Sequence, residues 1–272
     1  MNSCQGIHPF ILTSRMLCVK HVQRTEKIRK CFNQMRHNSN KASVTLGNVL
    51  SFDNKKRCQQ RFLSAKPVRE LTKANSRVPE EAKKAAVLVP LCTVQGEPAV
   101  LFTLRSMSLD LHRGEVSFPG GKADETDEDL THTALREAEE EMGIAASRID
   151  VWGHLNPLPG KNLQTIVTPV IGMCGELEPH KLNFNPGEVE EVFHLTISSL
   201  CDPKHCRSTQ WRSSRFKTGG STGYTMPVYV GGPHRIWGLT AIILHQVLMA
   251  IAPGLYTFKL KHDTLTDVIK MS

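Results

Sequence analysis

The segment 136–144 reads REAEEEMGI and carries the pattern on which both the fold and the candidate site depend. Residues three and four positions apart share one face of a helix, so Glu137, Glu140 and Glu141 should project together while Glu139 points away. Like charges at this spacing repel, and each acid in the last turn opposes the helix dipole by roughly 0.3–1 kcal/mol. Because function is expected where a sequence breaks local rules, the cluster predicts a bound cation.

Magnesium is the cation that such a cluster favours, because it is a hard ion held by carboxylate oxygens and substrate phosphates. The alternative interpretation is a solvated acidic helix face without a ligand. The preceding loop, Phe118–Gly121, reads FPGG and favours the metal site, since glycines allow the backbone to approach a ligand closely.

The chain becomes more apolar near residue 85, where two apolar runs flank the turn signal Gln95–Pro98 and predict a β-hairpin. A helix is predicted from about residue 127 to residue 142, with Gly143 as its stop signal. Further strands are predicted at 116–118, 151–155, 166–173, 191–195 and 224–230, and a final helix at 238–252. This order of elements predicts one mixed α/β domain with helices on both faces of its sheet.

The positive charge of the chain is confined to its N-terminal segment. The 272 residues carry 34 basic and 26 acidic side chains, a formal net charge of +8. Residues 1–77 contain 16 of the basic and 3 of the acidic residues, a net charge of +13, whereas the remainder has a net charge of −5. The folded part therefore lacks the basic excess typical of nucleic-acid-binding domains. In the sequence, no apolar run reaches the roughly 18 residues that a membrane span requires.

The basic segment contains too little apolar surface to fold by itself, so we expect residues 1–77 to be disordered. Its apolar residues between 11 and 19 alternate with Arg15 and Lys20 and acids are scarce, as in an organelle transit peptide. The tetrapeptide 61–64, RFLS, resembles a matrix-protease cleavage site. We therefore expect a mitochondrial transit segment at 1–77, a folded domain at 78–272 and a location in the mitochondrial matrix. The alternatives are a basic tail that carries no targeting signal and a basic tail that binds nucleic acid.

Residues 121–144 resemble the signature of the nudix hydrolase family, G-x5-E-x7-R-E-U-x-E-E-x-G-U, where U is apolar. The second half of the signature matches completely. Counting forward from Gly121 places Asp127 at the acidic position, followed by one residue too many. Counting back from the arginine places Glu128 there but puts Lys122 at the glycine position. Both registers stay open at the level of sequence.

The same one-residue extension is found in the coenzyme A diphosphatase subgroup of the family, which the chain resembles from about residue 85 to about residue 258. Asp110 departs from the pattern, because the subgroup commonly has arginine at that position, and it bears on affinity and selectivity for coenzyme A. Further matches to the subgroup are LFTLRS at 101–106, FPGG at 118–121, PGEVEEVF at 186–193 and IWGLTA at 236–241.

The resemblance implies a nudix fold of the α/β (α+β) class, in which a mixed β-sheet is sandwiched between α-helices. It also implies hydrolysis of the diphosphate bond of coenzyme A or acyl-coenzyme A, dependent on Mg2+ or Mn2+, to 3′,5′-ADP and 4′-phosphopantetheine or its acyl form. Arg136 is expected to orient the glutamates. The expected metal ligands are Glu137, Glu140 and Glu141, the expected catalytic residues are Glu140 and, as general base, Glu188, and the expected substrate-binding residues are Arg105, Gly120 and Gly121.

Two alternatives to this function stay open: a nudix hydrolase of another nucleoside diphosphate derivative, and a weakly catalytic module that binds coenzyme A. In each case the expected partner is a small molecule. We expect neither a nucleic acid partner nor a membrane span, and we expect a monomer.

Overall fold

Strand β1 (Lys83–Val94) lies at the centre of the computed structural model, which describes residues 43–62, 81–160, 164–212 and 223–260. It pairs antiparallel with β2 (Glu97–Arg105) across the two-residue turn Gln95–Gly96. Both turn residues have positive φ, 52° and 78°, a turn geometry that matches the right-handed twist of the strands. The predicted hairpin is therefore confirmed.

The other strands extend this hairpin into an eight-stranded mixed sheet. They are β3 (Val116–Ser117), β4 (Gly120–Lys122), β5 (Asp150–His154), β6 (Leu158–Pro159), β7 (Thr165–Glu176) and β8 (Val189–Thr196). β7 is parallel to β1, whereas β8 is antiparallel to β2. A separate two-stranded sheet consists of β9 (Cys206–Arg212) and β10 (Gly223–Tyr229), of which the sequence predicted β10 but not β9.

Helices cover both faces of the large sheet. They are α1 (Phe52–Phe62), α2 (Leu130–Met142), α3 (Ile197–Cys201) and α4 (Gly238–Ile251). Side chains of β1 alternate between two cores, because successive residues of a strand face opposite sides. Leu88 and Cys92 pack with α2, whereas Val89 and Leu91 pack in the core that contains α4 and α1. The predicted sandwich is confirmed. Within the described ranges, no helix is long and apolar enough to cross a membrane.

Helix α2 begins three residues later than predicted and ends where predicted. Asp129 has an extended backbone, and its carboxylate accepts a hydrogen bond from the His132 N–H at 2.8 Å, so it caps the first turn. At the other end Gly143 has φ 67°, and its N–H donates to the Glu139 carbonyl at 2.9 Å. The cap at each end therefore fixes which acids fall in the last turn.

The pair Gly120 and Gly121, interpreted as loop from the sequence, forms strand β4 against β1. A Cβ at Gly120 would lie 2.3 Å from the Ala86 carbonyl oxygen, a contact that only glycine avoids. Glycine has low intrinsic strand propensity, which is why the sequence pattern did not reveal the pairing. The pairing fixes the FPGG loop directly to the central strand.

Residues 44–62 correct the expected domain boundary. They lie in the segment expected to be disordered, yet they include helix α1, and Val49, Cys58 and Phe62 are buried in the core that contains α4. The compact unit accordingly begins at Val44 and not at residue 78. Cys58 and Phe62 are four residues apart and share a helical face, but only tertiary contacts give that face a partner. The transit-peptide pattern at 11–20 lies outside the described residues and stays a prediction.

We predict that Gly143→Ala lowers the free energy of unfolding more than Gly96→Ala does. Both residues have left-handed backbones, which cost a residue with a Cβ roughly 1–2 kcal/mol. A Cβ at Gly143 would in addition lie 2.5 Å from the Asn183 carbonyl oxygen, whereas no atom lies within 4 Å of the Cβ at Gly96. Urea unfolding of the two variants measures the difference, and equal destabilisation would contradict the contact-based argument.

Candidate active site

The three acids of α2 differ in their exposure, although they share one side of the helix. Glu141 is buried, with 3% of its surface exposed. Glu137 is half-buried, with 15% of its side chain exposed, whereas 54% of the Glu140 side chain is exposed. Glu139 points away, as predicted, and its carboxylate accepts a hydrogen bond from the Ala146 N–H at 3.2 Å. The helix therefore presents a gradient from a buried acid to a solvent-exposed one.

Glu141 is a buried carboxylate whose negative charge is only partly compensated by its neighbours. Its Oε1 lies 3.9 Å from Arg105 Nη1, and its Oε2 is buried without a hydrogen-bond partner. Burial raises the pKa of Glu141 to about 8, because desolvation disfavours the charged form. Arg105 and the Gly120 backbone N–H lower that pKa, whereas the nearby charges of Glu137 and Glu188 raise it further. The surrounding residues therefore compensate the charged form of this carboxylate only in part.

Glu137 lies beside the glycine strand. Burial raises the pKa of Glu137, Arg136 opposes that shift, and the charges of Glu140 and Glu188 add to it. A Cβ at Gly121 would lie 2.2 Å from Glu137 Oε1, so the glycine leaves the space that the carboxylate occupies. The close approach that Gly121 permits in this structure is therefore between its backbone and the Glu137 carboxylate.

Arg136 connects the acids to the loop before α2. Its Nη1 lies 3.1 Å from both Glu137 Oε1 and Glu140 Oε2, the contacts that an orienting residue requires. Its Nε and Nη2 donate to the two oxygens of Asp127 at 3.0 and 3.1 Å. Because two parallel hydrogen bonds fix the guanidinium plane, Asp127 determines where Arg136 holds the glutamates.

Asp127 is a site residue that the sequence interpretation left undecided. Its side chain is 2% exposed, and it also accepts hydrogen bonds from the Thr133 hydroxyl and the Asp124 N–H. The hydrogen bonds from Arg136 hold the pKa of Asp127 well below its usual range. Glu128 is exposed, so the structure selects the register that counts forward from Gly121. The feature of the sequence that could have identified Asp127 is the spacing G-x5-D, which begins at Gly121.

The pairing of β2 with β8 brings Arg105 and Glu188 to the same end of the sheet. Arg105 pairs with Val189, and the Ser106 N–H donates to the Glu188 carbonyl at 2.9 Å. Three-quarters of the Arg105 side chain is buried, and its Nε has no hydrogen-bond partner. The structure therefore brings together Arg105, Gly120, Gly121, Glu137, Glu141 and Glu188, with Glu140 at the exposed margin.

The acids fit a hard divalent cation by their chemistry, although their side chains do not converge on one point. Across the described part of the chain, no three His, Cys, Asp or Glu side chains are arranged to hold a metal ion as they stand. Arg136 holds Glu137 and Glu140, while Glu141 keeps one buried oxygen without a partner. Carboxylate oxygens and an uncompensated buried charge suit Mg2+ or Mn2+. The predicted ligand set stays a prediction.

Comparison with protein families assigns the chain to a class of protein. The NUDIX domain model matches residues 82–213, a range that contains Arg105, Gly120, Gly121, the acids of α2 and Glu188. The chain belongs to the nudix hydrolase family, whose members generally use divalent ions such as Mg2+ or Mn2+. The nudix fold implied by the sequence resemblance is thereby confirmed.

Two of the similar proteins are named coenzyme A diphosphatase, and a third is named only as a nudix hydrolase. The chain is 43% identical over 208 residues to "Mitochondrial coenzyme A diphosphatase NUDT8" of Mus musculus, covering 76% of this chain and 92% of the relative. It is 47% identical over 189 residues to the protein of the same name from Homo sapiens, covering 69% and 78%. "Nudix hydrolase 3" of Caenorhabditis elegans is 34% identical over 235 residues, covering 76% and 92%.

We predict that Asp127→Asn lowers turnover of a diphosphate substrate by about 10–100-fold, the usual range for residues that orient metal ligands. The amide cannot accept both hydrogen bonds from Arg136, so the guanidinium loses its fixed plane. Glu128→Gln is the matched control, because this neighbouring acid is exposed. Steady-state kinetics of both variants check the assignment, and equal losses would show that Asp127 has no special role.

Proposed function

We propose that this nudix hydrolase is a coenzyme A diphosphatase, which cleaves the diphosphate bond of coenzyme A and acyl-coenzyme A to 3′,5′-ADP and 4′-(acyl)phosphopantetheine. The observation that carries the proposal is the buried Glu141, whose unpartnered oxygen lies in a cluster with Glu137, Glu188 and Arg105. The names of the mouse and human relatives support the choice of coenzyme A as the substrate.

Glu137 and Glu141 are proposed as the main ligands of Mg2+ or Mn2+, with Glu140 as a third ligand and a catalytic group. When bound, such an ion neutralises diphosphate oxygens and lowers the pKa of a bound water. Arg136 Nη1 lies 3.1 Å from an oxygen of Glu137 and 3.1 Å from an oxygen of Glu140, so its positive charge offsets their mutual repulsion. The burial of Glu141 strengthens its attraction for a cation, because water screens the charge less there.

Glu188 is proposed as the general base that takes a proton from the attacking water. It is half-buried immediately before β8, and its charge raises the pKa of both Glu137 and Glu141, which supports a position near the proposed metal ligands. The opposite charge of Arg105 suits a diphosphate oxygen, and a guanidinium can bind two oxygens at once. Gly120 and Gly121 are proposed as substrate-binding residues because they lie on the strand beside Glu137.

The proposed cellular location is the mitochondrial matrix. The mouse and human relatives carry the word mitochondrial in their names, and the first 20 residues have the composition of a transit peptide. A reducing compartment also suits the five described cysteines, Cys58, Cys92, Cys174, Cys201 and Cys206, which are buried as free thiols.

We predict that Glu141→Gln lowers turnover by about 100-fold or more, since changes to outer-shell partners alone cost 10–100-fold. The variant should unfold, without added metal, at the same or a higher temperature, because the amide removes a buried charge that lacks full compensation. Glu139→Gln on the opposite side of α2 is the control and should retain wild-type turnover. A folded Glu141→Gln variant with wild-type turnover would contradict the proposed role.

Substrate identity is tested by comparing kcat/KM for coenzyme A, an acyl-coenzyme A, a nucleotide sugar and a dinucleoside polyphosphate with Mg2+ or Mn2+. We expect the highest value for coenzyme A or its acyl ester, with 3′,5′-ADP detected by mass spectrometry. A higher value for another diphosphate would overturn the assignment. If calorimetry detects binding of coenzyme A but no product forms, the chain is a binding module. This outcome is worth testing because exposed Asp110 stands where the subgroup commonly has arginine.

A further inference from the structure

The last turn of α4 is covered by side chains from α1. A helix ends with four backbone carbonyls that have no partner within the helix. Arg61 Nη1 donates to the Met249 carbonyl at 3.1 Å, and Arg57 Nη2 donates to the Ala250 carbonyl at 2.6 Å. The side-chain amide of Asn54 donates to the Ile251 carbonyl at 2.8 Å. Three consecutive carbonyls at the end of α4 are thus bound by residues almost 200 positions earlier in the chain.

These contacts are part of a buried interface. Asn54 is 5% exposed, and its amide also donates to the Val49 carbonyl at 2.6 Å. Phe62 packs so closely on Gly153 of β5 that a Cβ there would lie 3.1 Å from Phe62 Cδ2. Lys55 forms an ion pair with Asp150 at the start of β5 at 2.6 Å. Helix α1 therefore connects the end of α4 to the edge strand of the large sheet.

Two positive charges of α1 stabilise the C-terminus of α4. Cations near a helix C-terminus are favourable because the helix dipole places partial negative charge there. Arg57 and Arg61 occupy this place at the end of α4. The same two arginines contribute to the basic composition that, in the sequence alone, resembles a targeting segment. Lys55, Arg57 and Arg61, three of the four basic residues of 52–62, therefore have contacts in the fold that account for their charge.

We propose that residues 44–62 are a permanent part of the mature enzyme, so that presequence processing takes place before Val44. The cleavage motif that begins at Arg61 is then not a processing site, because cleavage there would remove Val49, Cys58 and Phe62 from the core and expose the carbonyls of α4. This inference goes beyond the proposed diphosphatase activity and does not depend on which substrate the enzyme cleaves.

The direct test is the N-terminus of the protein isolated from cells. The full chain is expressed with a C-terminal tag in animal cells, purified from mitochondria, and analysed by intact mass and N-terminal sequencing. We expect every mature form to begin at or before Val44, and a chain that keeps its original N-terminus also meets this expectation. A soluble form from mitochondria that begins anywhere after Val44 would overturn the proposal.

A second test uses variants of the full chain. Arg57→Ala removes the two Arg57 contacts with α4, whereas the control Lys56→Ala removes the same charge from an exposed residue that lies over the Phe52 ring. We expect Arg57→Ala to lower the midpoint of thermal unfolding by about 3 °C or more, and Lys56→Ala to leave it within about 1 °C.

Equal midpoints for Arg57→Ala and the wild type would contradict the structural role. Should Arg57→Ala fail to give soluble protein, Arg57→Lys is the test, because it restores the charge and one donor and should recover a soluble, folded chain. If Arg57→Lys fails as well while Lys56→Ala folds, the domain depends on the Arg57 guanidinium itself, which supports the structural role of α1. Thermal unfolding and mass do not involve turnover, so failure here is distinguishable from failure of the diphosphatase assignment.

Discussion

One buried carboxylate imposes the main constraint on this domain. Glu141 is almost fully removed from water, its Oε2 has no partner, and the charges of Glu137 and Glu188 oppose its ionisation. A charge in such surroundings is costly unless it is paired. Arg105 compensates for part of that cost at 3.9 Å, and we propose that a bound divalent cation compensates for the rest.

The fold supplies the neighbours of this carboxylate from several elements. Strand β4 lies against β1 and carries the glycines that leave space beside Glu137. The pairing of β2 with β8 brings Arg105 and Glu188 to the same end of the sheet. The hydrogen bonds of Asp127 hold Arg136, which in turn holds two of the glutamates. The site is therefore a product of sheet register and loop geometry as much as of the helix that carries the acids.

Periodicity predicted what is local, and tertiary contacts determined the rest. The shared face of the α2 acids and the Gly143 stop follow from helical geometry and were predicted correctly. The choice between Asp127 and Glu128 could not be made from the sequence, because it depends on which acid reaches Arg136. Helix α1 was missed for the same reason, since its polar composition gives little sign of a helix whose apolar face is buried by distant strands and by α4. A pair of glycines likewise gives no indication that it will form a strand.

The most direct test of the central claim is a crystal structure of the full chain grown with Mn2+, with diffraction data collected at a wavelength where manganese scatters anomalously. The account predicts an anomalous peak within about 2.0–2.3 Å of Glu141 Oε2, the range for oxygen ligands of hard divalent ions. Glu137 should contribute a second oxygen. A structure from these Mn2+-grown crystals that shows no anomalous peak beside Glu137 and Glu141 would contradict the account.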